Sequence, residues 1–88
     1  MNEFRAHHTE IITLTFHPTK PVIASIGKQG EVRISNYETG ELLKRIATLH
    51  QSANALAFNP SGTRLAIGSN SKGDLSVWEL GDALKDVN

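Results

Sequence analysis

Four histidines carry the most obvious chemistry in this 88-residue sequence, because imidazole binds metals and transfers protons near neutral pH. They are His7, His8, His17 and His50. A zinc site built on them would need further ligands, yet the chain has no cysteine, and no carboxylates accompany these histidines at ligand spacing. The pattern therefore predicts no metal site.

Catalysis by the other polar side chains would need a nucleophile beside a base, or two carboxylates with separated pKa values in one cleft. The serines and acidic residues fall instead in turns, on solvated strand faces or at positions of the repeat described below. The sequence also has no glycine-rich phosphate loop. We therefore expect the protein not to be an enzyme and to use no cofactor.

The charges of the chain balance, with nine basic and nine acidic residues. The basic residues that could contact nucleic acid are spread along the chain and interleaved with acids, so they form no continuous patch. They are Lys28, Arg33, Lys44, Arg45 and Lys72. Nucleic-acid binding is therefore the less favoured function.

The N-terminal residues lack an apolar run of signal-peptide length, and no segment approaches the length of a membrane span. The absence of cysteine also excludes a disulfide framework. We therefore expect no membrane partner and a cytoplasmic or nuclear location.

An internal repeat determines where these residues lie. The stretch 73–80 reads Gly-Asp-Leu-Ser-Val-Trp-Glu-Leu, and 30–37 aligns with it at an offset of 43. Alternation in such a strand places Leu75 and Val77 on one face and Trp78 on the other. Upstream, Phe-His-Pro at 16–18 aligns with Phe-Asn-Pro at 58–60 at an offset of 42. One extra residue therefore lies in the second copy, within 69–72.

A repeat of about 40–45 residues with four short strand signals is typical of a propeller blade. The order of signals is His, an alternating run ending in Phe-x-Pro, a strand of small residues, and Gly-x-apolar-x-apolar-Trp-acid. This order resembles the WD-repeat family of β-propellers, and the resemblance covers residues 3–80. It implies an all-β protein with two four-stranded antiparallel blades.

The repeat frame divides the chain into three parts. Residues 1–6 are expected to be an outer-strand stub that completes a neighbouring blade, 7–48 the first blade, and 49–88 the second blade with a short C-terminal tail. For 81–88, an outer strand and a last helical turn both remain open.

In the family, a His, a loop Asp, a strand Ser or Thr and the Trp form a hydrogen-bonded network inside each blade. The matching structural positions here are His7 or His8 with Ser25 in the first copy, and His50 with Trp78 in the second. Gln29 and Lys72 stand where the family has Asp, so the resemblance implies an incomplete network in both copies.

The resemblance implies a non-catalytic scaffold that binds other proteins or peptides on its loop face. The alternative is an excised or engineered two-blade unit of a larger propeller, without independent activity.

Two blades leave both outward faces apolar, and a repeat unit cannot bury its faces without neighbours. We therefore expect the chain to be a homo-oligomer that closes a propeller. Four chains giving eight blades are preferred, and three giving six are second. Phe4, Leu75 and Val77 are expected at the interface, with 2–6 pairing along 73–80 of the next protomer.

Overall fold

Two antiparallel β-sheets make up most of the protein. The structure, a computed structural model, describes residues 10–28, 30–47, 53–69, 73 and 75–87. The first sheet contains, in spatial order, β1 (Ile11–Phe16), β2 (Val22–Gly27), β3 (Glu31–Asn36) and β4 (Leu42–Ala47). The second contains β5 (Ala53–Phe58), β6 (Arg64–Ser69) and β7 (Leu75–Glu79). The prediction of an all-β protein is confirmed.

Strand pairing shows the repeat at the level of individual residues. Leu14 lies opposite Ser25 in the first sheet, and Leu56 lies opposite Ile67 in the second, so both partners shift by 42. In the pairs between the second and third strands, the residue of the second strand is still offset by 42 from one sheet to the other, and the residue of the third strand is offset by 43. The pairs that show this are Ala24 with Ile34 and Ala66 with Val77. The extra residue of the second copy therefore lies between β6 and β7.

The turns repeat as well as the strands. The backbone bond from His17 N to Val22 O, at 2.8 Å, recurs as Asn59 N to Arg64 O at 3.1 Å. The bond from Tyr37 N to Pro21 O, at 3.0 Å, recurs as Leu80 N to Thr63 O at 2.8 Å. Since these bonds fix where each strand begins and ends, the two sheets have the same build.

A register irregularity recurs near the start of each sheet. It falls between Ile11 and Thr13 in β1, and between Ala53 and Ala55 in β5. The sequence predicts an alternating run through β1 that ends in Phe-x-Pro. The bulge interrupts that alternation, because an extra residue in one strand changes its phase. Regular pairing holds from Thr13 onward.

The turn between β3 and β4 is closed by a side chain. Asn36 Oδ1 accepts hydrogen bonds from the backbone N–H groups of Glu38, at 2.9 Å, and Thr39, at 3.2 Å. Asparagine favours turns because its short side chain can satisfy nearby backbone donors in this way.

The first sheet has the four strands predicted for each blade, and the described part of the second has three. The chain after β7 forms a short helix, α1 (Gly81–Leu84). Leu80, Leu84 and Val87 are buried, and their spacing of four and three residues is that of one helix face. A strand would have placed Leu80 and Leu84 on one face and Val87 on the other, so the apolar spacing favours the helical turn.

The core lies between the two sheets and under this tail. Its buried side chains come from both sheets and from the tail, and β5 packs against β1 and β2 while α1 packs against β4. They are Val22, Ala24, Ile26, Val32, Ile34, Ile46, Leu65, Ile67, Leu80, Leu84 and Val87.

Equivalent positions in the two sheets should differ in their contribution to stability. Ile34 is fully buried, so Ile34→Ala should lower the free energy of unfolding by about 2–5 kcal/mol. Val77 occupies the equivalent position but is 60% exposed, so Val77→Ala should cost less than about 1 kcal/mol. Urea denaturation of dilute protein measures both values. Equal losses would show that the face of Val77 is covered in solution.

Candidate interaction surfaces

Around its first strand, each sheet has small side chains on one face and large ones on the other. In the first sheet, the face that is small there continues into the buried Ile26, Val32 and Ile34 of β2 and β3. Residues directly opposite each other in paired strands share a face. We call the face with Thr13, Thr15 and Ala24 the small face of the first sheet; Ala55, Ala57 and Ala66 form the small face of the second. The opposite faces are the large faces. They carry Leu14, Phe16 and Ile23 in the first sheet and Leu56, Phe58 and Leu65 in the second.

Inside the molecule, the small face of the first sheet packs against the large face of the second. Ala24 and Leu65 are fully buried, and Leu56 and Phe58 pack against the shared core. Because β5 brings bulky side chains, it can approach β1 and β2 closely only where their side chains are small. The steric match therefore selects which faces meet.

The other two faces are exposed. On the large face of the first sheet, Phe16 is 62% exposed, and its ring meets that of Tyr37 edge to face at 5.8 Å. On the small face of the second sheet, Leu75 is 71% exposed, and Val77 lies beside it. Exposed apolar patches of this kind mark interaction sites.

Charged side chains on these two exposed faces form ion pairs. On the large face of the first sheet, Glu31 Oε1 lies 2.8 Å from Arg33 Nε and 3.5 Å from Arg45 Nε. On the small face of the second, Arg64 Nε lies 2.5 Å from Glu79 Oε1. Since each carboxylate already has an arginine partner, a docked surface would not meet an isolated charge there.

His17 joins the two sheets at one end of the molecule. Its ring is buried, and Nδ1 accepts hydrogen bonds from the backbone N–H groups of Thr19, at 3.1 Å, and Lys20, at 3.0 Å. The ring proton must then be on Nε2, which donates to Gly62 O at 2.9 Å. The ring also meets that of Phe58 edge to face at 5.0 Å. His17 therefore links the β1–β2 turn to the β5–β6 turn.

This role of His17 was missed in the sequence, where the residue counted only as a candidate metal ligand or a turn residue. Its counterpart Asn59 remains within its own turn, where Oδ1 accepts from Arg64 N at 2.9 Å. The signal in the sequence was the middle residue of Phe-x-Pro, which is His17 in the first copy and Asn59 in the second. The imidazole side chain is longer than that of asparagine, so it can reach the next sheet.

The tail is held to the first sheet by a second link at the same end. Lys20 Nζ donates a hydrogen bond to the backbone carbonyl of Val87. Because Val87 is also buried, this contact fixes the tail over the core.

The two described network positions lie in different sheets. Ser25 lies in the first sheet, and its Oγ is 3.5 Å from Arg33 O. Trp78 lies in the second sheet, is 39% exposed, and donates from Nε1 to Ser76 Oγ at 3.1 Å. The predicted positions His7, His8, His50 and Phe4, and the stub 1–6, lie outside the described residues.

Among the described residues there is no cluster of metal-binding side chains and no helix that could cross a membrane. Their His, Asp and Glu side chains form no group of three or more that could hold a metal ion. No helix in the described part of the chain has the length and apolar character needed to cross a membrane.

The repeated register and the small-on-large packing define two consecutive units of a β-sheet repeat. No protein-family model matches the chain. It is 31% identical over 71 residues to a ribosome biogenesis protein BOP1 homolog of Chlamydomonas reinhardtii, and 29% identical over 76 residues to periodic tryptophan protein 2 of Saccharomyces cerevisiae. It is 32% identical over 79 residues to a chromatin assembly factor 1 subunit FAS2 homolog of Oryza sativa subsp. japonica.

These relatives are WD-repeat proteins. The alignments cover 81%, 86% and 80% of this chain. They cover 9%, 8% and 15% of the relatives' own lengths. The chain is thus similar to a short segment of much longer proteins.

The contact between His17 and Gly62 can be tested with a matched glycine. Both Gly62, with φ +76°, and Gly73, with φ +69°, have the left-handed conformation. A Cβ added at Gly62 would lie 2.1 Å from His17 Nε2, whereas one at Gly73 would meet nothing within 4 Å. Gly73→Ala should therefore cost about 1–3 kcal/mol from backbone strain, and Gly62→Ala clearly more. Thermal unfolding measures both.

The double variant His17→Ala, Gly62→Ala separates the clash from the strain. Its loss should be smaller than the sum of the two single losses, because the clashing ring is gone. Equal losses for Gly62→Ala and Gly73→Ala would contradict the tight contact.

Proposed function

We propose that this chain is a non-catalytic WD-repeat scaffold for protein–protein interaction, in which the two sheets are consecutive blades of a closed β-propeller. The observation that carries the proposal is the packing of a small face against a large face. It leaves one face of each kind exposed, as a unit in the middle of a continuing series would.

The arrangement of faces favours ring closure. The two exposed faces differ from each other, so a contact between them is head to tail. Head-to-tail contacts form rings when the rotation closes. We propose a homo-oligomer of four chains giving eight blades, with three chains giving six as the second choice, and binding of other proteins or peptides on the loop face.

A second possibility is a two-blade section of a larger propeller, without independent activity. The small share of the relatives' length that the chain spans, 8% to 15%, favours it. The flanking blades of such a propeller would then cover the two exposed faces.

The proposal includes neither catalysis nor a cofactor, and it leaves nucleic-acid binding as the less favoured function because nine basic residues are balanced by nine acidic ones. It places the protein in the cytoplasm or the nucleus. The ribosome biogenesis and chromatin assembly names of the relatives favour the nucleus.

The particle mass in solution tests the ring. Light scattering at micromolar concentration should give a multimer, with four chains expected first and three second, because two exposed apolar faces need cover. A well-folded monomer at that concentration would contradict the ring and leave the two-blade section as the better interpretation.

The outer edge of β7 is the proposed site of strand exchange between protomers. β7 pairs with β6 on one side, and no described strand pairs with its other side. An exposed edge offers unpaired backbone groups to an extended segment. We propose that residues 2–6 of the neighbouring chain pair there and add Phe4 to the interface.

Removal of residues 1–5 tests this exchange. The truncated chain should assemble less well and melt at a lower temperature, because the edge of β7 loses its added strand. An unchanged particle size and melting temperature would show that the stub does not complete the blade.

A further inference from the structure

At their first strands, the two exposed faces repeat the side-chain pattern of the two faces that are buried between the sheets. Leu14 and Phe16 stand at the positions of Leu56 and Phe58, shifted by 42. Resting on the scaffold function proposed above, we infer that a second copy of this chain docks the small face of its second sheet onto the large face of the first sheet. The intermolecular contact would then repeat the contact inside one chain.

Side-chain size supports this pairing. In the intramolecular contact, Leu56 and Phe58 face strands that carry threonine or alanine at positions 13, 15 and 24. The exposed small face has alanine at all three equivalent positions, which are 55, 57 and 66. It therefore offers at least as much room for the bulky side chains of Leu14 and Phe16.

The outer part of the exposed faces supports the same partner. Leu75 and Val77 lie uncovered on the small face, and the first sheet has a fourth strand, β4, that widens its large face. A docked copy would place its β1 on β5 and β6, as β5 lies on β1 and β2 within the chain, and its first sheet would then extend toward these side chains. Covering them removes apolar surface from water, which favours association.

Charge does not oppose the contact. Glu31 is paired with Arg33 and Arg45 on one face, and Arg64 with Glu79 on the other. Burial of an unpaired charge is the usual penalty at an interface, and these pairs avoid it. Paired charges at the outer half of the faces are also compatible with a polar rim.

The contact joins two different faces, and this leads to a specific experiment. Each chain would have one large face and one small face to offer, so blocking either should leave the other able to bind. Phe16→Glu blocks the large face and Ala57→Glu the small face, because both positions are exposed in the single chain. Both changes would bury an unpaired carboxylate at the interface. Leu14→Glu and Val77→Glu are a second pair on the same faces.

Light scattering of each variant at the concentration where the unchanged chain assembles should give a monomer. An equimolar mixture of Phe16→Glu and Ala57→Glu should give particles of two chains and none larger, since each partner has one working face. Circular dichroism and thermal melting should show both variants folded, and the second pair replaces a variant that is not.

Several outcomes would overturn this inference. If either blocked variant still forms dimers by itself, the interface joins two like faces. If the folded variants stay monomeric when mixed, the two faces do not recognise each other. If both variants keep the full particle size, the chain assembles through another surface, so the proposed multimer stands and this interface does not. A monomeric unchanged chain contradicts the proposed ring and this interface together.

Discussion

The match between a small face and a large face is the constraint on which the rest of this structure depends. A sheet with apolar side chains on both faces must be covered on both sides, and bulky residues allow close approach only to small ones. Ala24 lies fully buried opposite a sheet that presents Leu56 and Phe58. Each sheet carries one small face and one large face, so a single contact between the two sheets covers only one face of each. The buried bond from His17 Nε2 to Gly62 O then holds the two turns at one end in place.

Much of the architecture could be predicted from the sequence because the repeat is a property of strand pairing. Gly30 aligns with Gly73, and both have positive φ. The change of offset from 42 to 43 was correctly placed before β7, since the extra residue lies in the connection between β6 and β7.

What the sequence did not show were contacts across long separations. His17 and Gly62 are 45 residues apart, and nothing local indicates that they meet. The sequence left two folds open for the tail, because Leu84 and Val87 are compatible with a strand and with a helical turn. The burial of Leu80 together with these two side chains favours the helical turn.

The resemblance implied an incomplete polar network in each blade, and the described residues are held mainly by apolar packing. Trp78 is partly exposed and bonds to Ser76 within its own strand, so it does not link elements of the sheet. Its counterpart Ser35 is small and buried, and Ser25 is matched by Ile67 in the second sheet. A network that is only partly present is costly in a dry core, so replacing its members by apolar or small residues is physically reasonable.

The two large faces differ in a way that follows from what covers them. On the large face of the second sheet, Leu65 and Ile67 are buried within the chain, whereas Trp78 of β7 is 39% exposed; Ile67 stands at the position equivalent to Ser25. On the large face of the first sheet, Leu14 and Phe16 are exposed beside the ion pair of Arg33 and Glu31, while Ser25 on the same face is buried. A face that is always covered can be apolar throughout, whereas a face that must also meet water needs polar groups to limit its apolar patch. The ion pair of Arg33 and Glu31 therefore limits the apolar patch that Leu14 and Phe16 form on the uncovered face.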